Sequence, residues 1–199
     1  MTTVLIGLTG PIGCGKSTIA GWLAEAGAVV IDGDEVARRV TDPDGPAYAA
    51  VVERFGPGVV SPHGSIDRAA LAAIVFDDDA ALRALEEIVH PAVRPRIEAA
   101  IANAEREGAA AVVIEAIKLV EGGLAALCDE VWLVTCDRGA QRGRLASRAM
   151  DPADLERRIA AQEGLVSRLA PAATRILETS DSPDRTRERV LAAFAEAIA

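Results

Sequence analysis

The chain has 199 residues, which is enough for one α/β core with a smaller attached lobe and too few for two large independent domains. A formal net charge of −9 argues against a nucleic-acid partner, and an aromatic content of 3% argues against an aromatic-rich binding surface. No apolar run approaches the ~18 residues of a membrane span, no signal-like start is present, and three scattered cysteines argue against a disulfide framework, so we expect a cytoplasmic protein.

Short apolar runs alternate along the chain with longer amphipathic stretches. Five runs are typical of strands: Val4–Leu8, Ala28–Asp32, Ala110–Ala116, Glu130–Thr135 and Thr174–Thr179. Three of them are continuously apolar, as strands covered by helices on both faces are. Because the segments between the runs are long enough for crossover helices, the pattern predicts an α/β fold with a five-stranded, mostly parallel sheet covered by helices.

The helical stretches divide the single unit 1–199 into a core and two additions. The core is expected to comprise three segments, at about 1–37, 108–136 and 170–199. Residues of about 38–107 carry several helical patterns and no convincing strand, which predicts a helical insertion. Residues of about 137–169 are rich in Arg, and we predict that they form a mobile cover, or lid.

The stretch after the first strand reads Gly10-Pro-Ile-Gly-Cys-Gly-Lys16-Ser17. It fits G-x-x-x-x-G-K-[ST] in the strand–loop–helix context that a phosphate-binding loop requires, and its backbone N–H groups can wrap a phosphate beside a helix N-terminus. Lys16 is expected to bridge the β- and γ-phosphates, and Ser17 to ligate Mg²⁺. Cys14 is either a redox brake on nucleotide binding or simply a small residue that fits there. The predicted nucleotide-binding residues are Gly13, Cys14, Gly15, Lys16, Ser17 and Thr18.

Two aspartates, Asp32 and Asp34, come at the end of the second predicted strand. The carboxyl edge of an open α/β sheet is where such folds bind ligands. A carboxylate there can orient an acceptor hydroxyl and receive its proton, a part that we assign to Asp34, while Asp32 supports Mg²⁺ through water. The alternative for Asp34 is an N-cap of the next helix. A GTPase switch is disfavoured, because no N-K-x-D base-recognition element occurs.

Five stretches, taken in order, resemble the dephospho-CoA kinase family: GLTGPIGCGKST, VIDGDEVAR, GSIDRAALAAIVF, VHPAV and RRIAAQ. The resemblance runs from Leu5 to about Ala173, and the pair His90-Pro91 and a Q-x-x-R-x-x-x-R pattern ending at Arg148 make it specific. That family transfers the γ-phosphate of ATP to the ribose 3′-hydroxyl of dephospho-CoA, the last step of coenzyme A synthesis. The resemblance implies this activity and a P-loop kinase fold with an acceptor-binding insertion and a lid.

The resemblance also implies roles for particular side chains. Asp34 resembles the catalytic carboxylate, and Arg144 and Arg148 resemble lid arginines that neutralise the transferring phosphate. Each of these arginines could instead belong to a solvated helix face. Arg38 and Arg68 match basic positions on the family's acceptor side, where bidentate arginines suit the acceptor's pyrophosphate.

Three further positions have open roles. His90 either contacts the acceptor or caps a junction between two helices. Lys118 stands in EAIKLVE, where the family commonly has D-x-P-L-L-x-E, and it either reaches the acceptor's phosphates or pairs with Glu115 or Glu121. Thr179 stands where the family usually has an Asn near the nucleotide base, so a weaker or different base contact is expected.

These observations favour a dephospho-CoA kinase that uses ATP and Mg²⁺, acts as a monomer or weak homo-oligomer, and has neither nucleic-acid nor membrane partners. One alternative is a P-loop kinase for another small hydroxylated metabolite, such as a nucleoside. The other is a nucleotide-dependent regulatory module that transfers no phosphate. Asp34 and the lid arginines argue against this module, because a sensor has no use for an acceptor-facing base.

Overall fold

A computed structural model describes residues 2–76, 78–147 and 151–199. The chain forms two compact units, one made of Met1–Asp32 with Ala102–Ala199 and the other of Gly33–Ile101. Within the described ranges, none of the helices is both long and apolar enough to cross a membrane.

The first unit is built on a five-stranded sheet. Its strands are β1 (Val4–Thr9), β2 (Val29–Asp32), β3 (Ala111–Glu115), β4 (Glu130–Thr135) and β5 (Arg175–Glu178). They are arranged in the order β2-β3-β1-β4-β5, and each neighbouring pair is parallel. The predicted α/β fold with a parallel sheet is confirmed, and every strand agrees with its apolar run to within about one residue at each end.

The helices are numbered in chain order: α1 (Lys16–Glu25), α2 (Gly33–Arg39), α3 (Tyr48–Phe55), α4 (Arg68–Val75), α5 (Asp79–Arg106), α6 (Arg138–Ala146), α7 (Pro152–Ala161), α8 (Leu165–Leu169) and α9 (Pro183–Ala197). Short 3₁₀ turns occur at Pro57–Val59, Leu124–Leu127 and Ala170–Ala172.

Apolar side chains cover both faces of the sheet. Because successive side chains of a strand point to opposite faces, Trp132 and Leu133 of β4 belong to different clusters. Trp132 packs with Leu23 of α1 and Phe194 of α9, whereas Leu133 packs with Leu165 of α8. This two-sided burial is the reason that positions 131–134 of β4 are all apolar.

The second unit contains α2, α3, α4 and most of α5. Its buried apolar cluster is formed by Val51, Val59, Ile66 and Leu71. Among the described residues of this unit, the strand-like pairing is a single antiparallel bridge between Val60 and Ile66.

The structure corrects one interpretation of His90-Pro91. We considered a junction between two helices there, but α5 continues through both Pro91 and Pro95. A proline inside a helix leaves the carbonyl four residues earlier without its N–H partner. Both prolines are exposed, as is Glu87, so the freed carbonyls of Glu87 and Pro91 lie on the outer side of the helix, where water can hydrate them.

Candidate functional site

The phosphate loop follows β1, the central strand of the sheet. Gly13 has φ of 79°, in the left-handed region, and a Cβ atom there would lie 2.8 Å from Leu145 of α6. Only glycine therefore allows α6 to approach the loop this closely. Lys16 is 7% exposed, and its Nζ donates to the carbonyl oxygens of Gly10 at 2.8 Å and Pro11 at 3.1 Å.

Helix α1 begins directly after the loop. Its N-cap is Gly15, with φ of 94°, so no side chain caps the first turn, and that turn contains no acidic residue. The first N–H groups of an α-helix have no intrahelical partner and carry the positive end of the helix dipole. Ser17 and Thr18 are exposed in the same turn. This end of α1 is therefore suited to an anion such as a phosphate.

Two neighbouring strands end in carboxylates beside this turn. Asp32 of β2 and Glu115 of β3 are register partners, and the Oγ of Ser17 donates to Oε1 of Glu115 at 2.8 Å. The sequence placed Glu115 at a strand end and near Lys118, but it did not reveal the contact of Glu115 with Ser17. The available signal was the strand-end position that Glu115 shares with Asp32. Hydroxyl and carboxylate oxygens of this kind are ligands that Mg²⁺ accepts.

A cavity of about 280 Å³ opens beside the loop. It is lined by the loop, α1, α6, the end of β5 and the start of α9: Gly13, Gly15, Thr18, Ile19, Trp22, Arg144, Ser147, Thr179, Pro183 and Thr186. Its volume is near the lower end for small-molecule sites, and it combines apolar walls with a few polar groups. Because the loop forms part of its wall, a nucleoside in the cavity would have its phosphates next to α1.

Arg144 and Thr179 meet at this cavity. The Nη1 of Arg144 donates to the Oγ1 of Thr179 at 2.9 Å, and its Nη2 donates to the Thr179 carbonyl. The Thr179 hydroxyl donates to the carbonyl oxygen of Cys14 at 2.8 Å, with the Thr135 carbonyl a second acceptor at 3.1 Å. Thr179 thus joins α6, the loop and β4, and its base contact stays a prediction.

The other described arginines of α6 form surface ion pairs. Arg142 contacts Glu156 of α7 through two hydrogen bonds of 2.9 and 2.8 Å, and Arg138 contacts Glu163 at 2.9 Å. The hydrogen bond between Arg142 and Glu156 lowers the pKa of the carboxyl and raises the pKa of the guanidinium. Arg148, the second predicted lid arginine, lies outside the described residues.

Cys14 and Cys136 form a disulfide across 122 residues of sequence, with their Cα atoms 5.2 Å apart. The expectation that the scattered cysteines form no disulfide is therefore wrong for this pair. The spacing of the cysteines could not reveal it, because only the pairing of β1 with β4 brings the loop next to the residue that follows β4. Cys128 is the free thiol, and burial, with a smaller effect of Asp129, raises its pKa to about 12.

The predicted acceptor base lies in the second unit. Helix α2 begins at Gly33, so Asp34 is half-buried within its first turn instead of preceding the helix as an N-cap. The first turn contains Asp34 and Glu35, and the last turn contains two arginines, a distribution that complements the helix dipole.

The structure brings Arg38 and Arg68 together. The Nη2 of Arg68 donates to the carbonyl oxygen of Arg38 at 3.1 Å. Arg38 pairs with Glu35 at 3.3 Å, and Arg68 pairs with Asp42 at 3.8 Å. Both guanidinium side chains are more than half exposed, at 59% and 52%, so these pairs are weak and can be exchanged for phosphate contacts.

The second unit also contains a cavity of about 360 Å³. Its lining residues are Val36, Arg39, Val40, Asp42, Asp44, Gly45 and Arg96. Sequence analysis missed Arg39 and Arg96, although the position of Arg39 next to Arg38 was a signal. Arg39 donates to Glu35 at 3.2 Å, and this bond, followed by that from Arg38, lowers the pKa of Glu35.

His90 and Lys118 occupy different surroundings. His90 is half-buried in the middle of α5. Lys118 is exposed in the turn after β3, and its carbonyl oxygen accepts a hydrogen bond of 2.8 Å from the N–H of Gly122. Their contacts with an acceptor stay predictions.

Comparisons with known proteins agree with this geometry. The family model for dephospho-CoA kinase matches residues 4–184. The dephospho-CoA kinase of Symbiobacterium thermophilum is 47% identical over 191 residues, covering 96% of this chain and 80% of that protein. The chain belongs to the dephospho-CoA kinase family.

A crystal structure of TT1252 from Thermus thermophilus superposes with a TM-score of 0.85 at 30% identity, and each chain is fully covered. The fold of the dephospho-CoA kinase from Campylobacter jejuni is also similar, with a TM-score of 0.71 at 22% identity over 98% of this chain and 97% of that one.

The loop after β3 is one of the two places, with Thr179, where the sequence differs from the dephospho-CoA kinase pattern that it resembles. Its sequence is EAIKLVE, yet it remains attached to the central strand, because the Oγ1 of Thr9 donates to the Ile117 carbonyl at 3.1 Å and the N–H of Ala116 donates to the Leu8 carbonyl at 3.1 Å. Glu115 keeps a carboxylate at the strand end. The departure therefore leaves the contact with Ser17 in place.

Proposed function

We propose that the chain transfers the γ-phosphate of ATP to the ribose 3′-hydroxyl of dephospho-CoA, giving coenzyme A and ADP. The observation that carries this proposal is the match to the dephospho-CoA kinase family over residues 4–184. The phosphate loop, the uncapped start of α1 and the adjoining cavity support the ATP-binding half of the reaction.

On the donor side, Lys16 exchanges its two loop carbonyl partners for oxygens of the β- and γ-phosphates. The hydroxyl of Ser17 would hold Mg²⁺, and Asp32 and Glu115 are nearby carboxylates that would support it directly or through water. The described residues contain no cluster of three or more His, Cys, Asp or Glu suited to a metal. When bound, Mg²⁺ supplies charge neutralisation to the phosphates.

On the acceptor side, Asp34 orients the 3′-hydroxyl and takes its proton. The hydroxyl oxygen forms a bond to the γ-phosphorus as the bond from that phosphorus to the leaving oxygen of ADP breaks. Arg38, Arg68, His90 and Lys118 bind the acceptor, with the arginines facing its pyrophosphate.

The lid arginines, Arg144 and Arg148, neutralise the charge of the transferring phosphoryl group. Arg144 already lies at the cavity beside the loop, and its guanidinium would release Thr179 to contact a phosphate. Closure of the lid, residues of about 137–169, would exclude water, which competes as a phosphoryl acceptor.

We extend the proposal to the setting of the enzyme. It works in the cytoplasm, where ATP is available, as a monomer or weak homo-oligomer. Its net charge of −9 makes nucleic acid an unfavourable partner, and its substrate is a small molecule.

The test is ADP release from Mg-ATP by the purified chain, measured with dephospho-CoA, with a panel of nucleosides and without an acceptor. We expect release only with dephospho-CoA. Lys16→Ala should abolish it, whereas Asp34→Asn should bind ATP as the wild type does and lose transfer by about 100-fold or more, because it removes the general base. Release with a nucleoside would support the alternative kinase, and release that ignores every acceptor would contradict the proposal.

A further inference from the structure

The chain has two glutamines, and both are hydrogen-bonded to the backbone of one phosphate-loop residue, Ile12. The N–H of Ile12 donates to the Oε1 of Gln162 at 2.7 Å. The Nε2 of Gln141 donates to the carbonyl oxygen of Ile12 at 2.8 Å. Gln141 is 7% exposed, so its amide is largely removed from competing water.

The chemistry of the backbone fixes the direction of both hydrogen bonds. A backbone N–H can only donate and a carbonyl can only accept, so Gln162 must present its oxygen and Gln141 its nitrogen. The two glutamines therefore have opposite polar roles toward the same residue.

Separate elements of the predicted lid supply the two side chains. Gln141 lies on α6, on the same face as Arg144 and Leu145, and Leu145 packs against Gly13 of the loop. Gln162 lies in the turn after α7, which is closed by a hydrogen bond from the N–H of Leu165 to the Gln162 carbonyl.

The two contacts decide which loop donors remain for a phosphate. Pro11 has no N–H, and the N–H of Ile12 is taken by Gln162, so neither of these two residues offers a backbone donor to a phosphate. A bound phosphate must be met by donors that follow Ile12 and by the first turn of α1. If either glutamine contact is lost, the peptide groups of Ile12 are free to turn, and the donors after it lose their fixed direction.

We propose that Gln141 and Gln162 are positioning residues that fix the Ile12 peptide groups and thereby make nucleotide affinity depend on the packing of α6 and the α7–α8 turn against the phosphate loop. The expected change in the KM for ATP rests on the proposed function, whereas the expected change in ADP affinity does not. Neither glutamine contacts the reacting atoms of the proposed reaction, and both act through the phosphate loop.

The test compares two variants that add the same charge near the same residue, Gln141→Glu and Gln162→Glu. At position 162 the carboxylate still accepts from the Ile12 N–H, whereas at position 141 it faces a carbonyl and has nothing to donate. Calorimetric titration with ADP should show that Gln141→Glu weakens binding about tenfold more than Gln162→Glu. Gln162→Met, which lacks an acceptor of comparable strength, should bind ADP less tightly than Gln162→Glu.

Kinetics and melting separate positioning from a purely structural role. We expect the KM for ATP to rise in Gln141→Glu while the KM for dephospho-CoA stays close to the wild-type value. The Tm of the nucleotide-free protein should fall, because a carboxylate buried against a carbonyl is destabilising. Equal ADP affinities for the two Glu variants would overturn the inference. So would a loss of ADP binding in Gln141→Glu that is fully explained by the fraction of the variant that is unfolded at the temperature of the titration. ADP binding needs no acceptor, so this test still decides the inference if the wild type fails to phosphorylate dephospho-CoA.

Discussion

Arg144 is the described arginine of α6 that lines the cavity beside the phosphate loop, and Arg142, two residues before it, pairs with a different partner. Arg144 contacts Thr179, which is bonded to the loop carbonyl of Cys14, whereas Arg142 is paired with Glu156 on the surface. Substitution of Arg144 therefore tests the proposed charge-neutralising side chain, and the same substitution of Arg142 on the same helix is a control of equal size and charge.

We expect Arg144→Met to lower kcat for dephospho-CoA phosphorylation by about 100-fold, because it removes a preorganised donor from a transition state that gains charge on phosphate oxygens. Arg142→Met should lower kcat by about threefold at most, because an exposed ion pair contributes little. Steady-state kinetics at saturating ATP would decide this. Similar losses in the two variants would show that Arg144 acts only by holding α6.

At the scale of elements, the disulfide between Cys14 and Cys136 connects the phosphate loop to the residue that follows β4. Cys14 is 1% exposed and packs in the apolar cluster on the α1 side of the sheet. Its side chain therefore anchors the phosphate loop to the core of the first unit. In the chain-entropy treatment, a cross-link that closes about 120 residues stabilises a protein by about 4–5 kcal/mol.

Reducing this bond, or substituting Cys136→Ser, should therefore lower Tm by roughly 10 °C. Cys128→Ser is the control, because a hydroxyl can keep the hydrogen bond to the Leu124 carbonyl and no cross-link is lost. A thermal melt with and without dithiothreitol makes the measurement. An unchanged Tm on reduction would contradict the assigned stabilisation.

Thiol titration checks the pairing itself. Because the pKa of Cys128 is raised to about 12, its thiol stays protonated in the folded protein at pH 8, and we expect almost no reaction with a thiol reagent. Unfolding without reductant should expose one thiol, since Cys14 and Cys136 remain paired, and reduction should expose all 3 cysteines.

The strands, the phosphate loop and the family could be predicted from the sequence because their signals are local. Continuous apolar runs such as Glu130–Thr135 identify strands buried on both faces, and the loop motif requires only its neighbouring strand and helix. The same local reasoning offered a junction between two helices at His90-Pro91 as one of two alternatives. That alternative was wrong, because exposed carbonyls on α5 can be hydrated.

The contacts that organise the site could not be predicted, because each joins residues that are far apart in the sequence and that only the tertiary fold brings together. Ser17 and Glu115 are 98 positions apart, and Ile12 and Gln162 are 150 positions apart. The disulfide belongs to the same class, since no periodicity relates a loop cysteine to one that follows a distant strand.

At the scale of the whole molecule, the two units hold different parts of the proposed reaction. The first unit contains the phosphate loop, the cavity beside it and the proposed lid arginines. The second contains Asp34, the Arg38–Arg68 contact and a cavity lined by Arg39 and Arg96. In the proposed reaction, this chain moves a phosphate to one particular hydroxyl of its acceptor.

The most direct test is to supply Mg-ATP with dephospho-CoA or with an analogue that lacks only the ribose 3′-hydroxyl, and to determine the product by ³¹P NMR and mass spectrometry. We predict a single phosphate added at the 3′ position of dephospho-CoA and no transfer to the 3′-deoxy analogue. Phosphorylation of the analogue, or a phosphate at the 2′ position, would contradict the account.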